Sequence, residues 1–142
     1  MSRKTLTPSG GPPQVGRPDP AIYQAMGQDN IYRMIFDFYH ELERSSIRAL
    51  FPADIDGSAE KSAAFFVGLL GGPPFYHERY GQPMLRQRHM PFPIDRAARD
   101  VWIACFKKTL VDAEAKYGFP AAHLAQFTEF LDQFSLWMIN TE

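Results

Sequence analysis

The sequence predicts an all-α domain, and three observations carry that prediction. Apolar side chains recur at spacings of three and four through most of the chain after residue 20. No stretch alternates apolar and polar residues as a half-buried strand would. Helix-terminating signals, including Gly27, Gly57, Gly118 and the run Gly71-Gly72-Pro73-Pro74, fall between the periodic segments.

Residues 1–20 carry five prolines (Pro8, Pro12, Pro13, Pro18 and Pro20) and few apolar side chains. Such a segment buries too little surface to offset its ordering entropy and reads as a flexible tail, leaving 21–142 as the folded domain. A short helical turn from Ala21 to Met26 stops at Gly27. Asp29 or Asn30 is placed to cap the next helix, whose buried stripe is Ile31, Met34, Ile35, Phe38, Tyr39 and Leu42. Ser58 is a cap candidate for a helix over 59–70, with Ala63, Phe66, Val67 and Leu70 inward. Asp95 caps a helix that runs to about Tyr117, with Ala98, Val101, Trp102, Cys105, Phe106 and Thr109 on one side. Pro120 sits near the first turn of a last helix built on Leu124, Phe127, Leu131, Phe134 and Met138.

Composition narrows the function. The 142 residues hold 15 basic and 16 acidic side chains, a balance that gives no electrostatic footprint for nucleic acid or anionic membrane. The longest apolar stretch, Ala63 to Leu70, is far short of the roughly 20 residues that cross a bilayer. A secretory leader is not evident at the N-terminus, and the lone Cys105 excludes an internal disulfide or a thiolate cluster, so a reducing, cytoplasmic setting is expected. Phosphate-binding glycine loops, the nucleophile elbow, the two-histidine zinc-protease spacing and the Cys-x-x-Cys-His haem attachment are all absent.

The unusual region is Gly71 to Ile94, with five Pro and three Gly and room for one or two helical turns. Irregular connections longer than about 12–15 residues are uncommon in compact domains unless they are functional or disordered. This one contains Phe75, Tyr76, Tyr80, Met84, Leu85, Met90, Phe92 and Ile94, a composition suited to a wall around something that is not protein. Of the four histidines, His40 and His123 fall on helices, the former facing water, and His77 is ambiguous. His89 is distinct: Pro91 and Pro93 stiffen the chain after it, apolar residues surround it, and Arg86 and Arg88 precede it. That setting suits a haem, which needs one axial nitrogen, dry walls and partners for two carboxylates. It suits a core histidine bonded to a carbonyl at least as well, and spacing alone leaves both open.

The motifs Gly71-Gly72-Pro73-Pro74, Tyr80-Gly81, Pro83-Met84-Leu85-Arg86, Arg88-His89, Pro91-Phe92 and Asp100-x-Trp102, preceded by Phe38-Tyr39 and Phe51-Pro52-Ala53-Asp54, resemble the group II truncated haemoglobins over about residues 23–140. The resemblance implies a shortened globin fold, a two-over-two helical sandwich around haem with an irregular proximal loop. It implies His89 as the proximal iron ligand through Nε2, Tyr39 and Trp102 as distal hydrogen-bond donors, and Ser58 at the distal position. Phe51, Ser62, Phe65, Phe66, Met90, Phe92 and Ile94 would line the haem, with Arg86 and Arg88 toward its propionates. Phe51 stands where some members carry a tyrosine, so a second distal phenol is missing.

The function so implied is reversible binding of O2, CO and NO at a His-ligated, non-covalently held haem b, with slow release of O2. A redox alternative, NO dioxygenation or peroxidase-like chemistry, would draw on an external reductase. A haem-less helical interaction module is the reading from another class. A monomer or weak homodimer is expected, without nucleic acid or membrane as partner.

Overall fold

The computed structural model describes residues 5–8, 11–12 and 15–142. Among these residues seven α-helices follow one another: α1 Ala21–Glu43, α2 Ile55–Leu69, α3 Phe75–Tyr80, α4 Leu85–His89, α5 Arg96–Leu110, α6 Ala113–Tyr117 and α7 Leu124–Trp137. Short 3-10 turns at Arg48–Leu50 and Ala121–His123 precede α2 and α7, and no strand occurs among the described residues. α1 packs on α2 and α5, and α5 packs in turn on α7, so two helix pairs cross as a two-over-two sandwich.

One aromatic from each of the four long helices meets at the crossing. Phe106 of α5 lies 4.2 Å from Phe38 of α1, 5.6 Å from Phe66 of α2 and 5.9 Å from Phe127 of α7, measured between ring centroids. Tilted and edge-on ring pairs of this kind add to area burial, and they fix how the helices cross. Ile31, Met34, Ile35, Leu42, Val67 and Leu70 extend this core on the α1–α2 side.

Helix ends follow the local chemistry with two revisions. Gly27 breaks α1 as expected, at φ 77° and ψ 166°, a backbone conformation open to glycine. The cap of α2 is Asp54, whose Oδ1 accepts from the Gly57 N–H at 3.0 Å, so the helix starts at Ile55 and Ser58 lies inside its first turns rather than capping it. Asp95 does cap α5, accepting from the Ala98 N–H at 2.7 Å. The helix expected from Asp95 to Tyr117 breaks at Val111 and Asp112, the latter left-handed at φ 61°. The break turns α6 back onto α1, where the Tyr117 hydroxyl donates to Asp37 Oδ2 at 2.5 Å. Apolar periodicity runs through that break and gives no sign of it.

Where the N-terminal segment is described, it lies on the body. The Leu6 N–H donates to the Asn140 carbonyl, Gln126 Nε2 donates to the Gly16 carbonyl, Pro18 is buried and Val15 packs on the core. Positions 1–4, 9–10 and 13–14 of the expected tail lie outside the described residues.

Candidate functional site

A cavity of about 490 Å³ lies between the helix pairs, within the 300–1,000 Å³ typical of ligand sites. Its walls are chiefly hydrocarbon and aromatic. α1 contributes Tyr39, the following turn Ile47, Leu50 and Phe51, and α2 contributes Ser58, Lys61, Ser62, Phe65, Phe66 and Leu69. The irregular segment supplies Tyr76, Tyr80, Leu85, Arg88, His89, Phe92 and Ile94, while α5 supplies Ala98, Arg99 and Trp102. α7 and the residue after it close the remaining side with Phe130, Leu131, Phe134, Ser135 and Met138. A wider hollow of about 810 Å³ on the outer surface, bordered by Lys107, Leu124, Thr128, Glu129 and Gln133, is shallow and open to solvent.

His89 ends α4, and its Nδ1 lies 2.6 Å from the Leu85 carbonyl one turn back. A carbonyl only accepts, so Nδ1 carries the ring proton and Nε2 keeps its lone pair. This tautomer and orientation are those of a metal-binding imidazole whose other nitrogen is tied to backbone. Among the described residues no group of three or more His, Cys, Asp or Glu could hold a bare metal ion. One imidazole retains iron only where a macrocycle fills most other coordination positions. The donor set, the apolar walls and the cavity size therefore fit a haem.

Tyr39 and Trp102 face the same cavity from α1 and α5. Trp102 stands edge-on to Phe38 at 5.3 Å, and Tyr39 edge-on to Phe51 at 5.9 Å, which fixes both rings. Burial pushes the Tyr39 phenol above its ordinary pKa, opposed by the nearby Ser62 hydroxyl. Ser62 thus brings a polar group to the phenol from the inner face of α2.

Two cations stand at the margin without a carboxylate partner among the described residues. Arg88 donates through Nη2 to the Tyr80 and Gln82 carbonyls, both at 2.9 Å, and lies 5.5 Å from the Tyr76 ring. Lys61 Nζ lies 5.5 Å from the Tyr80 ring. Deeper, the buried Arg99 donates to Ser135 Oγ at 3.0 Å, to Asp132 Oδ1 at 2.7 Å and to Asp100 Oδ1 at 3.0 Å, binding α5 to α7.

Thus Tyr39, Phe51, Ser58, Ser62, Phe65, Phe66, Arg88, His89, Phe92, Ile94 and Trp102 line one cavity. Two expected residues do not. Arg86 turns the other way: it donates to the Ile139 carbonyl at 2.9 Å, to the Leu6 carbonyl at 2.8 Å and to the Trp137 carbonyl, and stacks on the Trp137 ring. Unlike Arg88, it does not line the cavity, so it is not placed for a propionate. Met90, next to His89, is not among the lining side chains. Lys61, Arg99 and the α7 wall escape sequence reasoning. Only Lys61 left a usable signal, one helical turn after Ser58.

The Bacterial-like globin family matches residues 21–140. The Group 2 truncated hemoglobin YjbI of Bacillus subtilis (strain 168) is 37% identical over 91 residues, covering 63% of this chain and 69% of that one. Among solved structures, phosphate-bound Hell's gate globin IV superposes with a TM-score of 0.82 at 34% identity, over 90% of this chain and 79% of that one. The group II truncated hemoglobin from Bacillus anthracis does so with a TM-score of 0.76 at 29% identity, over 91% and 95%. With a two-over-two helical frame and a lone imidazole facing an apolar cavity, the chain belongs to the bacterial-like globins, as a haem-binding globin of the group II truncated kind.

Proposed function

We propose that residues 21–142 form an oxygen-binding domain, with 1–20 as an appended tail, and that the cavity holds haem b without covalent attachment. The observation that carries this reading is the bond from His89 Nδ1 to the Leu85 carbonyl at 2.6 Å, which leaves Nε2 free as the axial nitrogen. Haem so held supplies an iron with a position open to O2, CO or NO.

The chain's own residues set the selectivity. The Trp102 indole N–H and the Tyr39 hydroxyl are donors inside a dry pocket, where they favour a diatomic ligand that draws negative charge over one that stays neutral. O2 is such a ligand and CO is not. A hydrogen bond to a charged partner contributes about 1.5–3 kcal/mol, roughly 10- to 100-fold in a dissociation rate. Ser62 sets a hydroxyl beside the Tyr39 phenol, and Ser58, being small, leaves the distal margin open. Phe51, Phe65, Phe66, Phe92 and Ile94 exclude water. Arg88 and Lys61, cations on the cavity wall, would pair with the carboxylates of the porphyrin.

Visible spectra of the purified protein, oxidised, reduced and then exposed to O2 or CO, test the reading. Distinct, stable O2 and CO forms are expected, and His89→Ala abolishes ordinary haem retention. A His89→Ala protein with a Soret band of wild-type shape and intensity refutes the proximal assignment.

A further inference from the structure

Asn140, 51 positions after His89, is fully buried. Its carboxamide offers two N–H donors and one acceptor, and all serve a single segment. Nδ2 donates to the His89 carbonyl at 3.2 Å and to the Phe92 carbonyl at 3.0 Å, while Oδ1 accepts from the Ile94 N–H at 3.0 Å. The Asn140 backbone N–H donates to the Ile94 carbonyl at 2.9 Å. Pro91 and Pro93 carry no N–H, and the segment closes a turn of its own from the Phe92 N–H to the His89 carbonyl at 2.9 Å. The side-chain amide adds a second donor to that carbonyl and serves the Phe92 carbonyl and the Ile94 N–H. Arg86 anchors the start of the same short helix, through the Ile139, Trp137 and Leu6 carbonyls. α4 is therefore tied at both ends to the chain that leaves α7.

We infer that Asn140 is a positioning residue for the proximal histidine. It holds the His89 carbonyl and the turn beyond it, so that the direction of Nε2 is set by the protein before haem arrives. This rests on His89 being the axial ligand, as proposed above.

The test uses haem-loaded protein. Asn140→Asp keeps the shape and the acceptor but removes both donors, and Asn140→Ser is a second, smaller truncation. The iron–histidine stretching band in resonance Raman spectra of the reduced protein is expected to shift and broaden. Haem transfer to excess apomyoglobin should quicken by roughly 10- to 100-fold, the cost typical of losing a partner behind a metal ligand. In a His89→Gly protein reconstituted with free imidazole, whose ring is not tied to the backbone, adding Asn140→Asp should leave the iron–imidazole band unmoved. A general loss of structure would disturb that band as well, and an equal shift there overturns the positioning role. Wild-type band and haem loss in both Asn140 variants also overturn it. Fast amide exchange at Ile94 in the unsubstituted protein does the same, and this measurement needs no variant to fold. If His89→Gly shows the wild-type band without imidazole, the assignment of His89 fails first and the inference falls with it.

Discussion

Trp102 and Tyr39 are the side chains on which ligand discrimination turns. Trp102→Phe keeps an aromatic ring beside Phe38 and removes the indole N–H together with the bulk of one ring. O2 dissociation should accelerate by roughly 10- to 100-fold, with CO dissociation nearly unchanged, both measured by stopped-flow. Tyr39 makes a pH statement. Its phenol ordinarily titrates near 10.0, and burial pushes that value up. The hydroxyl therefore stays protonated and able to donate throughout the neutral and mildly alkaline range. The O2 off-rate should be flat from pH 7 to pH 10, and an inflection below 10 that Tyr39→Phe abolishes would contradict the burial argument. Both aromatics were legible in the sequence through periodicity and resemblance together. Ser62 was visible only as a polar residue in an apolar row, because its partner lies on another helix.

At the scale of elements, the joint after α2 is the least forgiving. A Cβ on Gly72 would fall 2.5 Å from the Tyr23 ring and 2.7 Å from Val67 Cγ1, closer than packed atoms allow. Gly72→Ala should cost about 1–3 kcal/mol through forced displacement, read as a lower midpoint in denaturant. The same joint starts the chain toward α3 and α4, so haem retention should fall in parallel. Caps and stops were legible where a side chain or a glycine marks them, as at Asp95 and Gly27. The break between α5 and α6 was not, since Val111 and Asp112 continue a pattern that helix and turn share. Arg86 misled for a related reason. Two arginines flank one apolar site at similar distance in sequence, but one has its donors engaged by carbonyls at the far end of the chain.

For the whole molecule, two phenols shape the alkaline limit. Tyr117 is pushed up first by burial and then by the Asp37 carboxylate its hydroxyl donates to, and Tyr39 is pushed up by burial. Below pH 10 both are neutral, folded or unfolded, and their contribution is fully present. Above it the unfolded chain loses protons that the native state keeps, so stability falls as pH rises. Tyr117→Phe should flatten that decline above pH 10 in urea titrations, despite a lower starting stability from the lost Asp37 bond. The α7 wall of the cavity, Phe130, Phe134, Ser135 and Met138, was beyond sequence reading because nothing local distinguishes a residue facing a cofactor from one facing a core.

The tie between residues 89 and 140 also divides the pocket into halves that depend on different parts of the chain. Tyr39, Phe66 and Trp102 stand on α1, α2 and α5, and none of the Asn140 bonds touches them. The seat of His89 draws donors from the chain that follows α7. Loosening that stretch would leave the gas-facing wall standing and slacken the iron-facing one, so a porphyrin would keep its greasy slot and lose the firmness of its anchor.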